Sequence, residues 1–322
     1  GKAKQRWLKT FLALPNGIPS HDTFARVFAR LEPEQLQTAF LSWVNSVSRL
    51  TAGEVIAIDG KTARRSYDKG KDKGAIHMVS AWASQNRLVL GQRKVDDKSN
   101  EIKAIPELLK VLDLQGCIVT IDAMGTQKAI AEQIVVQGGD YVLALKGNQG
   151  NLYEDVEQMF DWAHSQAFKD IDYDFHETLD VGHGRIEKRR CWSLGQVEGL
   201  IDGEKWAQLT SIAMVEAIRE WHGQTSREVR YYISSLAPDA QRLAESIRSH
   251  WSVENPLHWV LDVAFREDDC RIRTGHAPEN FTLLRHLAVS ALNQETTAKV
   301  GIKNKRLLAG WDDDYLLKVL AG

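Results

Sequence analysis

The spacing of hydrophobic positions changes several times along the chain. Between Ser20 and Val47 apolar residues recur at helical intervals, with Phe24, Val27, Phe28 and Leu31 on one face. Ser20 or Asp22 is placed to cap that helix, and Pro33 stands near the first turn of a second. Residues 1–50 are therefore expected to form a helical segment. It reads as an extension packed on the main domain, in preference to a separate DNA-binding or dimerisation module. After residue 50 the period shortens. "GEVIAIDG", "AIHMVSAWAS" and "RLVLGQRKV" read as strands, the last two joined across "QN". "EIKAIPELLKVLDL" is an amphipathic helix, "GCIVTIDA" a buried strand, "QKAIAEQIVVQG" a helix and "DYVLALKG" a strand. The order βββαβαβ over residues 51–149 predicts an α/β core, a mixed sheet with helices on its faces.

Over residues 150–236 the texture differs. An acidic helix, "NLYEDVEQMFDW", precedes short runs that alternate polar and apolar residues, such as "GRIEKRRCWSL", "SIAMVEAIREWHG" and "REVRYYISSL". These predict a β-rich insertion. Helical spacing returns over 237–322 in "DAQRLAESIRSHW", "PLHWVLDVAFREDD" and "NFTLLRHLAVSALNQ", which would complete the core. No internal repeat or low-complexity segment breaks this organisation.

Composition narrows the class only slightly. The 322 residues are 43% hydrophobic and 26% charged, as in an ordinary soluble protein with a sizeable core. The formal net charge is −2, so a nucleic-acid partner would have to be met by locally concentrated basic residues. Cys117, Cys191 and Cys270 lie far apart and form no CxxC pair, which argues against a disulfide framework or zinc cluster and for a reducing, cytoplasmic setting. No apolar run approaches the roughly 20 residues that span a bilayer, and the basic start reads as no signal peptide. The absence of an initiator Met suggests a processed or shortened chain.

The chemistry lies at two strand ends. Val55–Ile58 runs into Asp59, and Ile118–Ile121 runs into Asp122. A carboxylate at the tip of a buried strand is costly unless it is satisfied, and strand tips open onto the functional crevice of α/β sheets. Parallel neighbouring strands would set the two acids about 4.8 Å apart by backbone, where they repel unless a cation lies between them. The competing expectation is that each Asp merely caps a following turn. Glu254 is the candidate third acid, with His250 and His258 four positions to either side. Trp251, Leu257 and Leu261 would face the core. Pro256 should kink or restart the helix just after Glu254. An oxygen-only ligand set favours Mg²⁺ or Mn²⁺, leaving His258 as a hydrogen-bonding neighbour.

Seven motifs carry a resemblance. "IDGKTARRS", "KSNEIKAIPELL", "IVTIDAMGTQKAIAEQI", "YVLALKGNQ", "HGRIEKRR", "HWSVENPLHWVLDVAFREDDCRIR" and "APENFTLLRH" resemble, in order, those of the ISAs-type insertion-sequence transposases, the H-repeat-associated proteins of the DDE superfamily. The resemblance implies an RNase H-like mixed sheet with flanking helices, interrupted by the β-rich insertion. It also implies a catalytic and metal-binding triad of Asp59, Asp122 and Glu254, two Mg²⁺ (or Mn²⁺) ions per site, and double-stranded DNA as partner. A homodimer on paired ends is expected. Lys61, Arg65, Lys98, Lys146, Arg185, Arg189 and Arg190 are candidate phosphate contacts, with Asn255 and His258 beside the triad. Arg64 and Lys188 read as solvated surface charges, Asp268 and Asp269 as non-catalytic acids, and Trp192 as core. Two alternatives stay open: a domesticated derivative that binds DNA without cutting it, and an RNase H-like host nuclease.

Overall fold

The computed structural model describes residues 1–67, 70, 74–95, 101–182 and 184–321. A short helix α1 (Gln5–Leu8) leads to α2 (His21–Arg30) and α3 (Pro33–Val47). Then come β1 (Val55–Thr62), β2 (His77–Ala83), β3 (Leu88–Val95), α4 (Glu101–Leu109), β4 (Ile118–Ile121), α5 (Lys128–Val136) and β5 (Asp140–Leu145), in the βββαβαβ order expected. Helix α6 (Asn151–Ser165) precedes four long strands: β6 (Tyr173–Gly182), β7 (Arg185–Leu194), β8 (Ser211–Trp221) and β9 (Gln224–Ser234). Helix α7 (Ala240–Ser252) runs into a π-helical stretch, Glu254–Trp259, and then α8 (Val260–Val263), α9 (Ala277–Gln294), α10 (Ile302–Trp311) and α11 (Asp313–Ala321).

Among the described residues all nine strands belong to one sheet, in the order β3-β2-β1-β4-β5-β9-β8-β7-β6. The first five strands form the mixed sheet expected of the core: β1 is antiparallel to β2, and β1, β4 and β5 are parallel. The inserted strands continue that sheet, because β9 pairs antiparallel with β5 from Val142↔Ser234 to Leu145↔Tyr231. Alternation in the sequence marks the inserted strands, but it does not reveal which core strand they join.

Both faces of the central strands are covered, which the two-residue period of β4 displays. Val119 and Ile121 join the cluster containing Ile105, Leu108 and Leu109 of α4. Ile118 joins the cluster containing Leu243 and Ile247 of α7. Helix α7 thus lies on the opposite face of the sheet from α4, and its C-terminal end approaches the strand tips.

At the N-terminal end, the Ser20 hydroxyl caps α2 by accepting from Thr23 N at 3.2 Å. Phe28 meets Phe281 of α9 with ring centroids 4.8 Å apart. Asn280 is buried and donates to the carbonyls of Phe28 (2.9 Å) and Leu31 (2.8 Å), closing the end of α2. Phe24 and Val27, on the same stripe, remain about half exposed. Among the described residues no helix is long and apolar enough to cross a membrane.

Candidate active site

Parallel pairing of β1 with β4 runs from Val55↔Ile118 to Ile58↔Ile121. The next residues, Asp59 and Asp122, are therefore neighbours where the parallel pairing stops. Strand β4 ends there, but Asp59 is not at a strand tip as expected, because β1 runs on to Thr62 paired with β2. Asp59 Oδ1 accepts from Gly60 N at 2.8 Å. Asp122 Oδ1 accepts from Met124 N (3.1 Å) and Gly125 N (3.3 Å), so this acid does organise a turn, using one of its two oxygens.

The loop after Asp122 is braced by residues to which sequence reasoning assigns no role. Asn148 Nδ2 donates to Ala123 O at 2.8 Å, and Gln149 Nε2 donates to Ala123 O (2.9 Å) and Thr126 O (3.2 Å). The Thr126 hydroxyl donates to Ala144 O at 2.7 Å. Within the "KGNQ" motif only Lys146 suggests chemistry from its residue type. The two amides of the motif clamp the Asp122 loop onto the tip of β5.

Glu254 begins the π-helical stretch. Pro256 has no N–H to continue an α-helix, and the chain changes its hydrogen bonding there: His258 N donates to Val253 O at 3.2 Å, five residues back. The break falls at Ser252–Val253, slightly earlier than expected. Val253, Leu257 and Leu261 are buried and turn Glu254 outward. Trp251 does not face the core as expected. It is 36% exposed, with the Arg230 guanidinium 4.1 Å over its ring, because the helix ends immediately after it and β9 supplies the covering cation.

Electrostatics tie the acids together. Burial first, and then the charges of Glu101, Asp122 and Glu254, push the Asp59 carboxyl up to about 6 against the Gly60 hydrogen bond. His258 Nδ1 lies 3.5 Å from Asp59 Oδ2. Burial and the neighbouring Lys61 and His250 lower His258 to about 4, so this is a polar contact of a neutral ring. His258 Nε2 is buried and has no hydrogen-bond partner among the described residues. The charge of Glu101, an acid to which sequence reasoning assigns no role although its motif "KSNEI" can cap a helix and still face the site, is also felt at Asp59.

The basic candidates have separate fates. Lys61 Nζ donates to Asp262 Oδ1 at 2.8 Å, with Asp268 and Glu267 at 3.5 and 3.7 Å. Arg64 pairs with Asp268 and Arg65 with Asp269, each at 3.3 Å. The cationic run after Asp59 is thus met by the "REDD" turn, a contact that no spacing reveals. Lys98 lies outside the described residues. Lys146 is exposed and in no ion pair among the described residues. Arg185, Arg189 and Arg190 line a groove of about 560 Å³ that also includes Arg219, Arg230, Arg248, Trp251, Glu254 and Asn255. Buried Glu187 serves Arg185 (3.2 Å), Arg189 (2.5 Å) and Arg219 (3.0 Å), and buried Glu216 serves Arg190 (3.3 Å) and Arg227 (2.5 Å). Burial pushes Glu187 up, but the Arg219 hydrogen bond and the charges of Arg189, Arg219 and Arg185 hold it below the usual carboxylate range. Trp192 is core, stacked parallel to Phe168 at 6.3 Å.

Residues 51–291 match the family model for the transposase DDE domain. The chain belongs to that family. Residues 1–44 match the model of the segment associated with the DDE domain. The H repeat-associated putative transposase YhhI of Escherichia coli K12 is 43% identical over 327 residues, covering all of this chain and 86% of the relative. The putative transposase YncI of E. coli O157:H7 is 42% identical, covering all of this chain and 83% of the relative. A piggyBac transposase synaptic complex with hairpin DNA superposes at a TM-score of 0.48 and 10% identity, over 94% of this chain and 61% of that one, too low to bear on fold or function.

In this DDE-family chain the donor chemistry suits a hard divalent cation: Asp59, Asp122 and Glu254 offer oxygen only, and no Lys or Arg ion pair neutralises any of them among the described residues. Those residues contain no group of three or more His, Cys, Asp or Glu already closed to metal-holding distance. The charges of Asp122 and Glu254 are nevertheless felt at Asp59.

Proposed function

We propose that this chain cuts DNA at the ends of a mobile element and joins the freed 3′-hydroxyl to a target. The supporting observation is the convergence of Asp122 and Glu254 on Asp59, from elements far apart in sequence, beside an arginine-lined groove. Asp59, Asp122 and Glu254 would hold two Mg²⁺ or Mn²⁺ ions, which when bound supply an acidified attacking oxygen and positive charge at the leaving oxygen. The protein's own part is placement. The amides of Asn148 and Gln149 fix the Asp122 loop, the π-helical break turns Glu254 out of the core, and neutral His258 packs against Asp59 without neutralising it. Arg185, Arg189, Arg190 and Arg219 contact phosphates and set the position of the duplex without reading its sequence. Joining two ends implies two copies on DNA, acting in the bacterial cytoplasm where the chromosome lies.

The test is incubation of the purified chain and Mg²⁺ with linear DNA carrying the ends of the element that encodes it. Nicking at those ends and a joined product are expected, and Asp122→Asn should bind the same DNA without nicking it. Binding with no cleavage under Mg²⁺ or Mn²⁺ would instead identify a silent DNA-binding derivative. Cutting that ignores the ends and yields no joined product would identify a host nuclease.

A further inference from the structure

We propose that Glu101 is a fourth acid of this site, a ligand for the same divalent cation as Asp59, and that His77 is the residue that positions it. The proposal rests on the reading of the three acids as a metal-holding set. Glu101 opens α4, on a different element from any of the three. It lies over Gly60, next to Asp59: a Cβ there would meet Glu101 Oε1 and come within 2.5 Å of His77 Nε2, so a side chain at Gly60 would push the Glu101–His77 pair aside. Glu101 Oε1 lies 2.5 Å from His77 Nε2. An ionised carboxylate has no proton to give, so the imidazole donates. The other ring nitrogen, Nδ1, meets the Thr62 hydroxyl at 2.7 Å, and Thr62 and His77 are register partners across β1 and β2. The Thr62–His77–Glu101 chain thus anchors one carboxylate oxygen to the sheet and leaves the other for a ligand.

The remaining nearby acids behave differently. Asp262, Asp268 and Asp269 face Lys61, Arg64 and Arg65, whereas Glu101 has no Lys or Arg ion pair among the described residues. Its charge bears on Asp59 more strongly than that of Asp122 or Glu254. A carboxylate fixed by a hydrogen-bonded imidazole, whose charge is felt at a second carboxylate, is suited to share a cation with it.

The experiment is Mn²⁺ binding to the full chain without DNA, read from the paramagnetic resonance signal of free Mn²⁺, with urea melts to check folding. Wild type should bind and Asp59→Asn should lose binding. Glu101→Gln should weaken affinity by about 10-fold or more, Glu101→Asp should recover part of it, and His77→Phe should weaken it roughly 10- to 100-fold, as removing the partner that orients a ligand does. If Glu101→Gln does not fold, Glu101→Asp and His77→Phe carry the comparison. Unchanged affinity in these variants, with binding lost in Asp59→Asn, would overturn the role of Glu101 alone. No Mn²⁺ binding by wild type would overturn both this inference and the reading beneath it.

Discussion

Thr120 Oγ1, in the central parallel strand, and His250 Nδ1, in helix α7, lie 3.1 Å apart in the buried layer between them. Asp122 follows two residues after Thr120 and Glu254 four residues after His250, so this pairing ties together the supports of two candidate catalytic acids. His250 is lowered to about 4, mainly by burial, and is therefore neutral when it shares a proton with the hydroxyl. Thr120→Val leaves the imidazole nitrogen unpaired and should destabilise the chain by about 1–3 kcal/mol. Nicking should fall more than overall stability predicts, because the relative placement of two acids is loosened. A urea melt of Thr120→Val, His250→Phe and the double variant checks the first claim: the two losses should not add. Single-turnover nicking at a temperature where all variants are folded checks the second.

Acid sensitivity follows from the same buried histidines. His250 and fully buried His286 are lowered to about 4 and about 3, chiefly by burial, while an unfolded histidine titrates near 6.5. Between these values the unfolded chain binds protons that the folded chain does not, so stability falls as pH drops below about 6.5. Each histidine contributes on the order of 3 kcal/mol to that loss by pH 4. Asp59, raised to about 6, works in the opposite direction over pH 6 to 4, because its folded form takes up a proton first. His258, also lowered to about 4, adds to the loss; these three histidines together outweigh Asp59, and their net effect is acid destabilisation. His286→Leu should flatten the decline by about one histidine's share. Urea midpoints measured from pH 7 to pH 4 decide it: parallel curves for wild type and His286→Leu would refute the assignment.

Gln149 offers a cleaner separation of structure from activity. It sits on a surface turn, so Gln149→Ala should cost only about 1 kcal/mol. It also removes both bonds from the Gln149 amide to the Asp122 loop. Misplacement of a reacting group by about 1 Å can cost 100-fold in rate. Nicking by Gln149→Ala should therefore fall between about 10- and 100-fold while end binding, followed by gel shift, is unchanged. Asn148→Ala removes one bond to Ala123 O and should show a smaller loss.

The order of the elements along the chain is legible in the sequence, and the three acids are candidates there, because both rest on local signals. Buried four-residue runs ending in Asp, and a proline two residues past Glu254, carry their meaning in adjacent positions. What the sequence conceals depends on long-range packing. Nothing near Lys61 announces Asp262, 201 positions away, so its cation reads as available for DNA when it is engaged with acids. Nothing in the alternation of β9 selects β5 as its neighbour. Glu101 stays hidden because an acid opening a helix is ordinarily a dipole or capping residue, and only the pairing of β1 with β2 places His77 beside it. Helical spacing assigns Trp251 to the core, and that inference fails where the helix stops one residue later.

The groove and the exposed lysine make different predictions about DNA. Arg219 does not stand out in the sequence, yet it faces Glu187 in the β7–β8 register and shares that buried carboxylate with Arg185 and Arg189. Arg189 pairs with Asp180 as well, at 2.8 Å, but three guanidiniums against two carboxylates still leave positive charge to spare, and a phosphate is the natural complement. Removing one phosphate-binding cation should reduce the slope of log affinity against log salt by about 0.9. Lys146→Ala and Arg219→Ala should each lower the slope by about one such increment and the double variant by two, equally for end and random DNA, because neither residue reads a base. Arg64→Ala is the control, since Arg64 pairs with Asp268 away from the groove and should leave the slope unchanged. Filter binding between 50 and 200 mM salt resolves such differences at about threefold in affinity per cation. A Lys146→Ala slope equal to wild type would remove that lysine from the DNA path, while a drop confined to end DNA would mean that the lysine reads sequence after all.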